Sequence, residues 1–501
     1  MDVYQILMQD HSAVERIFTQ IEQTDDRGVK RRERLFRKLR IALEDHTVVE
    51  ENLLYPEIDK YPAIKELVAD AYDEHAEFEE TLQEISELPT NNAEWLERIQ
   101  ELRGVVHEHV RKEEDRMFPA ARQELDQSRA EELGRQIIEM KQKVRPDSGQ
   151  ANGRTMMKAL VYQGPGKNQL EDRPMPQIEA RTDAVVKIVK TTICGTDLHI
   201  LKGDVPSCSP GRILGHEGVG VVEKTGAAIT SFHEGDRVLI SCISACGKCS
   251  YCRRGMYSHC TTGGWILGNR IDGTQAEYVR IPHADTSLYP LPDGVDEEAL
   301  VMLSDILPTG LECGVLNGKV EPGSTIAIVG AGPIGLATLL TAQFYSPAEI
   351  IMIDLDDNRL DIAKRFGATA IINAADGAAA DAVMNLTGGR GVDAAIEAVG
   401  LPATFVLCED IIAPGGTIAN VGVHGVKADL HLERLWSQNI TITTRLVDTV
   451  STPMLLRTVR AGKIDPKRLI THHYKLEDIL QAYETFGDAA RTQALKVIIE
   501  P

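Results

Sequence analysis

Three architectures in succession are predicted for this chain: an all-α four-helix bundle, a barrel-like β domain, and an α/β domain of alternating strands and helices. Three observations predict them. Up to about residue 145, apolar side chains recur at three- and four-residue spacing with few glycines. From Lys158 to about Ser304, short valine- and isoleucine-rich runs such as AVVKIVKTTI and GVGVVEKTG alternate with glycine-rich turns. After Gly323, the stretch TIAIVGAGPIGLATLLTAQF reads as a strand, a glycine turn and a helix.

A chain of 501 residues is too long for one ordinary core, so two to four domains are expected. The formal net charge of -21 argues against a nucleic-acid or anionic-membrane partner, either of which needs a basic footprint; small molecules are the expected partners. More than half of the negative excess falls before residue 150, which marks two regions of different origin. The start MDVYQILMQDHS has neither a basic segment nor an apolar core, so no signal peptide is expected and a cytoplasmic location is. The uncharged run 324–343 is long enough to span a bilayer, but Gly330, Gly332, Pro333 and Gly335 interrupt it, and no membrane span is expected. All nine cysteines lie after residue 190, and five crowd between residues 242 and 260, which in a cytoplasmic protein favours metal ligands over disulfides.

In the first region the spacing predicts helices near 2–23, 28–54, 63–88 and 92–118, with a shorter one near 126–143. Breaks are expected at 25–28, at Tyr55-Pro56, at Tyr61-Pro62, at 88–92 and at Phe118-Pro119. Polar residues interrupt each apolar stripe: Leu7, His11, Val14, Phe18; Leu39, Leu43, His46, Glu50, Leu53; Leu67, Ala71, His75, Leu82; and Leu102, Val106, His109, Glu113, Met117. Polar groups in a bundle core are costly unless they are paired or bind metal. HxxxE occurs twice, as His46/Glu50 and His109/Glu113, and an i, i+4 pair shares one helix face. Four imidazoles around two bridging carboxylates suit a pair of iron ions. His107, two residues from His109, faces away and reads as a surface residue.

On these residues, positions 1–143 resemble the hemerythrin-like HHE cation-binding family. The resemblance implies a non-haem di-iron site with His11, His46, His75 and His109 as nitrogen ligands and Glu50 and Glu113 as bridges. Glu79 stands where the oxygen carriers of that family have a further histidine. Binding of O2 or another small diatomic therefore stands beside iron sensing, redox sensing and peroxide chemistry. Residues 144–155, VRPDSGQANGRT, are almost free of apolar side chains and read as a flexible tether.

In the β region, Cys194, His216 and Glu217 offer a thiolate, an imidazole and a carboxylate, the donor types of a catalytic zinc site with one position left for water or substrate. Cys246, Cys249, Cys252 and Cys260 form CxxCxxCx7C, a spacing that wraps one tetrahedral zinc as a closed structural site. Cys208, Cys242, Cys313 and Cys408 have no such company and read as plain thiols. In GAGPIG the glycines Gly330, Gly332 and Gly335 let a pyrophosphate approach the helix N-terminus. Asp354 ends the next strand nineteen residues past the last of them. There it can accept hydrogen bonds from an adenosine ribose and repel a 2'-phosphate, which favours NAD over NADP.

Through CGTDLH, GHEGVG, the four-cysteine lobe, LSDILPTG and GAGPIG, residues 156–501 resemble the zinc-dependent medium-chain alcohol dehydrogenases, in particular the bacterial branch related to formaldehyde dehydrogenase. The resemblance implies a GroES-like catalytic domain over 156–305, to which 447–501 returns, and a Rossmann domain over 306–446 that holds NAD at Gly330, Gly332, Pro333, Ile334, Gly335 and Asp354. It further implies that Cys194, His216 and Asp305 bind the catalytic zinc, with Glu217 a ligand in some states. Asp305 departs from the cysteine of the animal enzymes. Thr196 would take the alcohol proton and His199 relay it outward. An alcohol or aldehyde substrate and a homodimer or homotetramer are the partners expected. A second reading makes the di-iron bundle the working part, a sensor with a subordinate dehydrogenase half.

Overall fold

The computed structural model describes residues 2–24, 29–90, 92–144, 156–292 and 294–501, which fall into two compact units, Met1–Asn152 and Gly153–Pro501. The expected break at 25–28 and, of the tether expected over 144–155, all but Val144 lie outside the described residues; Val144 ends a helix.

In the first unit α1 (Val3–Glu22) packs on α2 (Val29–Val49), and α4 (Lys65–Glu87) on α5 (Ala93–Lys112). Short α3 (Tyr55–Ile58) and α6 (Phe118–Glu124) extend α2 and α5, and α7 (Gln127–Val144) lies along α1. Asp2 starts α1 with a capping box: its carboxylate accepts from Gln5 N at 2.8 Å and its own N–H donates back to Gln5 Oε1 at 3.2 Å. Two apolar clusters bracket a polar layer. One contains Leu7, Leu54, Ile58, Met117 and Phe118; the other contains Val14, Phe18, Leu43, Phe78, Leu102 and Val106.

The expected breaks at Tyr55-Pro56 and Phe118-Pro119 are not there. The helices run through both prolines by way of π-helical turns, Glu50–Leu54 and Glu113–Met117, and continue as α3 and α6. A proline removes one N–H donor and crowds the carbonyl four residues back; in each case that carbonyl belongs to the widened turn, which absorbs the conflict. The same widening sets Glu50 and Glu113 at the start of the turn, both buried.

In the second unit, the glycine-punctuated runs form β1 (Met156–Gly164), β2 (Lys167–Pro174), β3 (Ala184–Thr192), β4 (Arg212–Ile213), β5 (Gly218–Thr225), β6 (Arg237–Ile240), β7 (Tyr278–Ile281) and β8 (Leu288–Pro290). Between β3 and β4 sits helix α8 (Gly195–Lys202). The following strands β9 (Thr325–Val329), β10 (Glu349–Asp354), β11 (Ala370–Asn373), β12 (Val392–Glu397), β13 (Ile412–Asn420) and β14 (Thr441–Thr444) make one parallel sheet in the order β11-β10-β9-β12-β13-β14. This doubly wound order reverses between β9 and β12, where such sheets bind ligands beyond their strand ends. The last strands, β15 (Ile470–Lys475) and β16 (Lys496–Glu500), return to the β-rich region, where β16 pairs antiparallel with β3. The run 324–343 is strand, turn and helix, and no helix among the described residues is long and apolar enough to cross a membrane.

Candidate metal centres and cofactor cleft

The glycine turn after β9 is shaped for close approach. Gly330 has φ +105°, and a Cβ on it would meet Val399 Cγ2 at 2.6 Å; a Cβ on Gly335 would fall 1.8 Å from the Gly330 carbonyl oxygen. Pro333 and Ile334 open the helix Pro333–Ala342 that follows. At the tip of β10, Asp354 reaches this turn: Oδ2 accepts from Ala331 N at 2.6 Å, and Oδ1 accepts from Leu355 N and Asp356 N at 2.8 and 3.0 Å.

Cys194 ends the loop after β3 and caps α8, His216 and Glu217 immediately precede β5, and Asp305 comes from the segment before β9. The structure brings the four together, with donor atoms all within 4.8 Å of one another. His216 Nε2 lies 3.3 Å from Asp305 Oδ2, and Cys194 Sγ lies 3.7 Å from the same oxygen. Thr309 holds the other Asp305 oxygen at 2.5 Å. On the far side of the imidazole, His216 Nδ1 faces Asp197 Oδ1 at 3.9 Å, and neither atom has a hydrogen-bond partner among the described residues. A carboxylate behind a ligating histidine is the usual outer partner of a metal site.

The electrostatics ask for a cation. Burial pushes the Cys194 thiol up, with His216 opposing. Burial also opposes ionisation of Asp305, but the His216 imidazole overrides it and pulls the carboxyl down to about 2. Glu217 is raised by burial and drawn back by Lys496, whose ammonium donates to both its oxygens at 3.0 and 2.7 Å and to the Ile193 carbonyl at 3.1 Å. Lys496 and Asp197 both escaped sequence reading. A lone lysine on an inward position of the strand KVIIE is the one signal that could have found Lys496.

Thr196 Oγ1 lies 3.7 Å from Cys194 Sγ, and His199, one turn along α8, places Nδ1 2.9 Å from Asp204 Oδ2. The thiols of Cys246, Cys249, Cys252 and Cys260 also converge within 4.8 Å. Backbone N–H groups donate to three of them: Cys246 N to Cys260 Sγ, Cys249 N to Cys246 Sγ and Cys252 N to Cys249 Sγ, at 3.2, 3.4 and 3.5 Å. Burial opposes thiolate formation at Cys249, yet the backbone N–H groups of Cys252 and Thr261 bring that thiol down to about 6. Cys208, Cys242, Cys313 and Cys408 join neither group.

In the bundle the six predicted residues meet in the polar layer, all buried. They form two sets that share Glu50: His11, His46, Glu50 and Glu113, and Glu50, His75 and His109. His11 and His46 approach Nε2 to Nε2 at 3.1 Å, His75 and His109 at 3.2 Å. Glu113 Oε2 lies 3.3 Å from His11 Nε2 and 3.5 Å from His109 Nε2, so it reaches both pairs. Each Nδ1 faces a carboxylate: Glu114 at 2.7 Å, Asp10 at 3.7 Å, Glu51 at 2.9 Å and Glu74 at 2.7 Å, for His11, His46, His75 and His109 in turn. Burial, then the charge of Glu113, pushes Glu50 well above the usual carboxylate range, while Glu113 overcomes its own burial through His109 and falls to about 2. Two buried carboxylates cannot both ionise side by side without cations between them. His107 and Glu79 are exposed.

The structure adds one group to this layer. Tyr55 Oη donates to Glu113 Oε1 at 2.8 Å and lies 3.3 Å from Glu50 Oε2 and 3.4 Å from His75 Nε2. Reading Tyr55-Pro56 as a helix break hid it.

Comparison with known proteins agrees with this layout. The Hemerythrin HHE cation binding domain matches residues 2–121, the Alcohol dehydrogenase GroES-like domain residues 180–293, and the Zinc-binding dehydrogenase domain residues 333–458. An alcohol dehydrogenase of Cupriavidus necator is 40% identical over 371 residues, which is 69% of this chain and 99% of that protein. The solved apo form of zinc dependent alcohol dehydrogenase 2 from Streptococcus pneumoniae is 57% identical, with a TM-score of 0.67, over 69% of this chain and 98% of that one. A putative zinc-binding dehydrogenase of Sinorhizobium meliloti, solved bound to NADP, is 27% identical with a TM-score of 0.63, over 70% of this chain and 100% of that one. The chain is an oxidoreductase that belongs to the zinc-type alcohol dehydrogenases, with a hemerythrin HHE domain at its N-terminus.

Proposed function

We propose that this protein is an NAD-linked zinc alcohol dehydrogenase, cytoplasmic and dimeric or tetrameric, that carries a bundle binding a pair of irons. The observation that carries the reading is the buried cluster of Cys194, His216 and Asp305, with Glu217 tethered to Lys496 beside it. When bound, zinc supplies a Lewis acid that favours the ionised alcohol, and NAD supplies the hydride acceptor.

The chain's residues do the rest. Cys194, His216 and Asp305 would hold the catalytic metal, and Asp197 would orient His216 through Nδ1. Lys496 holds Glu217 back as a reserve carboxylate, positioned to become a ligand if that ion pair opens. Thr196 accepts the alcohol proton beside Cys194, and His199 passes it outward, its Nδ1 fixed by Asp204 so that Nε2 is the exchanging atom. Asp354, at the tip of β10, accepts from the adenosine ribose and opposes a 2'-phosphate. Cys246, Cys249, Cys252 and Cys260 hold a structural zinc, and His11, His46, Glu50, His75, His109 and Glu113 hold the irons.

A screen of primary and secondary alcohols against NAD and NADP, on protein whose zinc and iron content has been measured, tests the reading. Alcohol-dependent NAD reduction by zinc-replete protein is expected. Zinc-replete protein that turns over no alcohol or aldehyde would favour the bundle as the working part, with the dehydrogenase half subordinate.

A further inference from the structure

We infer that Tyr55 is an iron ligand, its phenolate oxygen completing the His75/His109 half of the bundle centre and making the two iron positions inequivalent. The inference rests on the di-iron reading and goes beyond its six ligands.

The chain carries one pattern twice, His46-x3-Glu50-Glu51-x3-Tyr55-Pro56 and His109-x3-Glu113-Glu114-x3-Phe118-Pro119. The copies fold alike. Each has a π-helical turn that starts at the glutamate, and each sets its aromatic ring flat against a histidine. Tyr55 stacks on His75 with centroids 5.6 Å apart at 22°, and Phe118 on His11 with centroids 6.1 Å apart at 7°. At the matching aromatic position the two copies differ by a single hydroxyl oxygen.

That oxygen lies among the donors of the His75/His109 half. The His11/His46 set gathers His11, His46, Glu50 and Glu113; the His75/His109 set gathers Glu50, His75 and His109, with Glu113 Oε2 3.5 Å from His109 Nε2. Tyr55 Oη, 3.4 Å from His75 Nε2, 3.3 Å from Glu50 Oε2 and 2.8 Å from Glu113 Oε1, adds to this half an oxygen that the other half lacks at the matching position. Beyond His75, Glu79 is exposed, and Phe78 packs its ring on both His75 and His109. A ferric ion accepts phenolate oxygen readily, as in tyrosine-ligated haem, and its charge favours the deprotonated form; the phenolic proton leaves to solvent on binding.

The test uses the full chain, loaded with ferrous iron without air, oxidised with ferricyanide, and assayed for iron on the same sample. The wild type is expected to show a visible tyrosinate-to-iron charge-transfer band and, on excitation into it, tyrosinate ring modes in the resonance Raman spectrum. Tyr55→Phe keeps the ring that stacks on His75 and should lose both signals while retaining the iron. Tyr72→Phe, whose ring lies 5.3 Å from that of Tyr55, should keep both signals. Iron-loaded wild type without the band overturns the ligation even if the variant fails to fold, and so does a band that survives in Tyr55→Phe. A wild type that takes up no iron would instead remove the di-iron reading, and the inference with it.

Discussion

The sulfurs of Cys246, Cys249, Cys252 and Cys260 come from a single loop, and N–H groups of that same loop already point at three of them. Cys194 and Asp305, by contrast, stand 111 residues apart in sequence, and the carboxylate beside them is held by a lysine 279 residues from it. A set drawn from one loop closes on itself, fills all four positions with thiolate, and trades metal affinity directly for folding energy. A set drawn from remote segments is held by the whole fold and mixes sulfur, nitrogen and oxygen, leaving room for a substrate. The bundle centre stands between the two: its HxxxE pairs are local, but their convergence needs four helices.

The sharpest way to break this comparison is Cys249→Ser. Opening the closed set should abolish the stable fold, or lower the melting temperature by far more than any change in turnover per folded molecule, because structural zinc contributes roughly 10–16 kcal/mol in small zinc-dependent folds. A soluble, equally stable variant that loses turnover alone would contradict the assignment. Next in size is Lys496→Met. It strands the buried Glu217 carboxylate and should cost about 3–5 kcal/mol in denaturant unfolding. Adding Glu217→Gln should recover much of that loss, and a double variant no better than the single would deny the pairing its role.

These sites were legible to different degrees. CxxCxxCx7C, GxGxxG and the two HxxxE pairs carry their geometry in their spacing, so a linear reading finds them. The fold class was legible for the same reason, since periodicity is local. Lys496 was not, because the pairing of β16 with β3 brings it to Glu217 from the far end of the chain. Tyr55 was hidden by a rule applied where it does not hold: proline after an aromatic suggests a helix end, but a π turn accommodates the ring and carries the tyrosine into the buried polar layer.

Smaller effects sharpen the account of the shared sites. Glu50→Ala removes the carboxylate common to both donor sets of the bundle and should weaken binding of both proposed irons together, by roughly tenfold or more, in competition with a chelator. Loss of one iron with the other held as before would show that Glu50 serves one position only. Asp354→Gly removes the charge that opposes a 2'-phosphate and should shift the NAD-to-NADP ratio of kcat/KM toward NADP, by about tenfold. Equal use of both cofactors by the unmutated protein would contradict the role given to Asp354.

The central claim, that Cys194, His216 and Asp305 form the working centre of an alcohol dehydrogenase, is tested most directly by comparing NAD reduction by wild type and Cys194→Ala in the presence of alcohol. The account predicts steady alcohol-dependent reduction by the wild type. It predicts a loss of roughly a thousandfold or more in the variant, with an unchanged far-ultraviolet circular dichroism spectrum and the structural zinc retained. Turnover that persists in Cys194→Ala would place the chemistry elsewhere and contradict the claim.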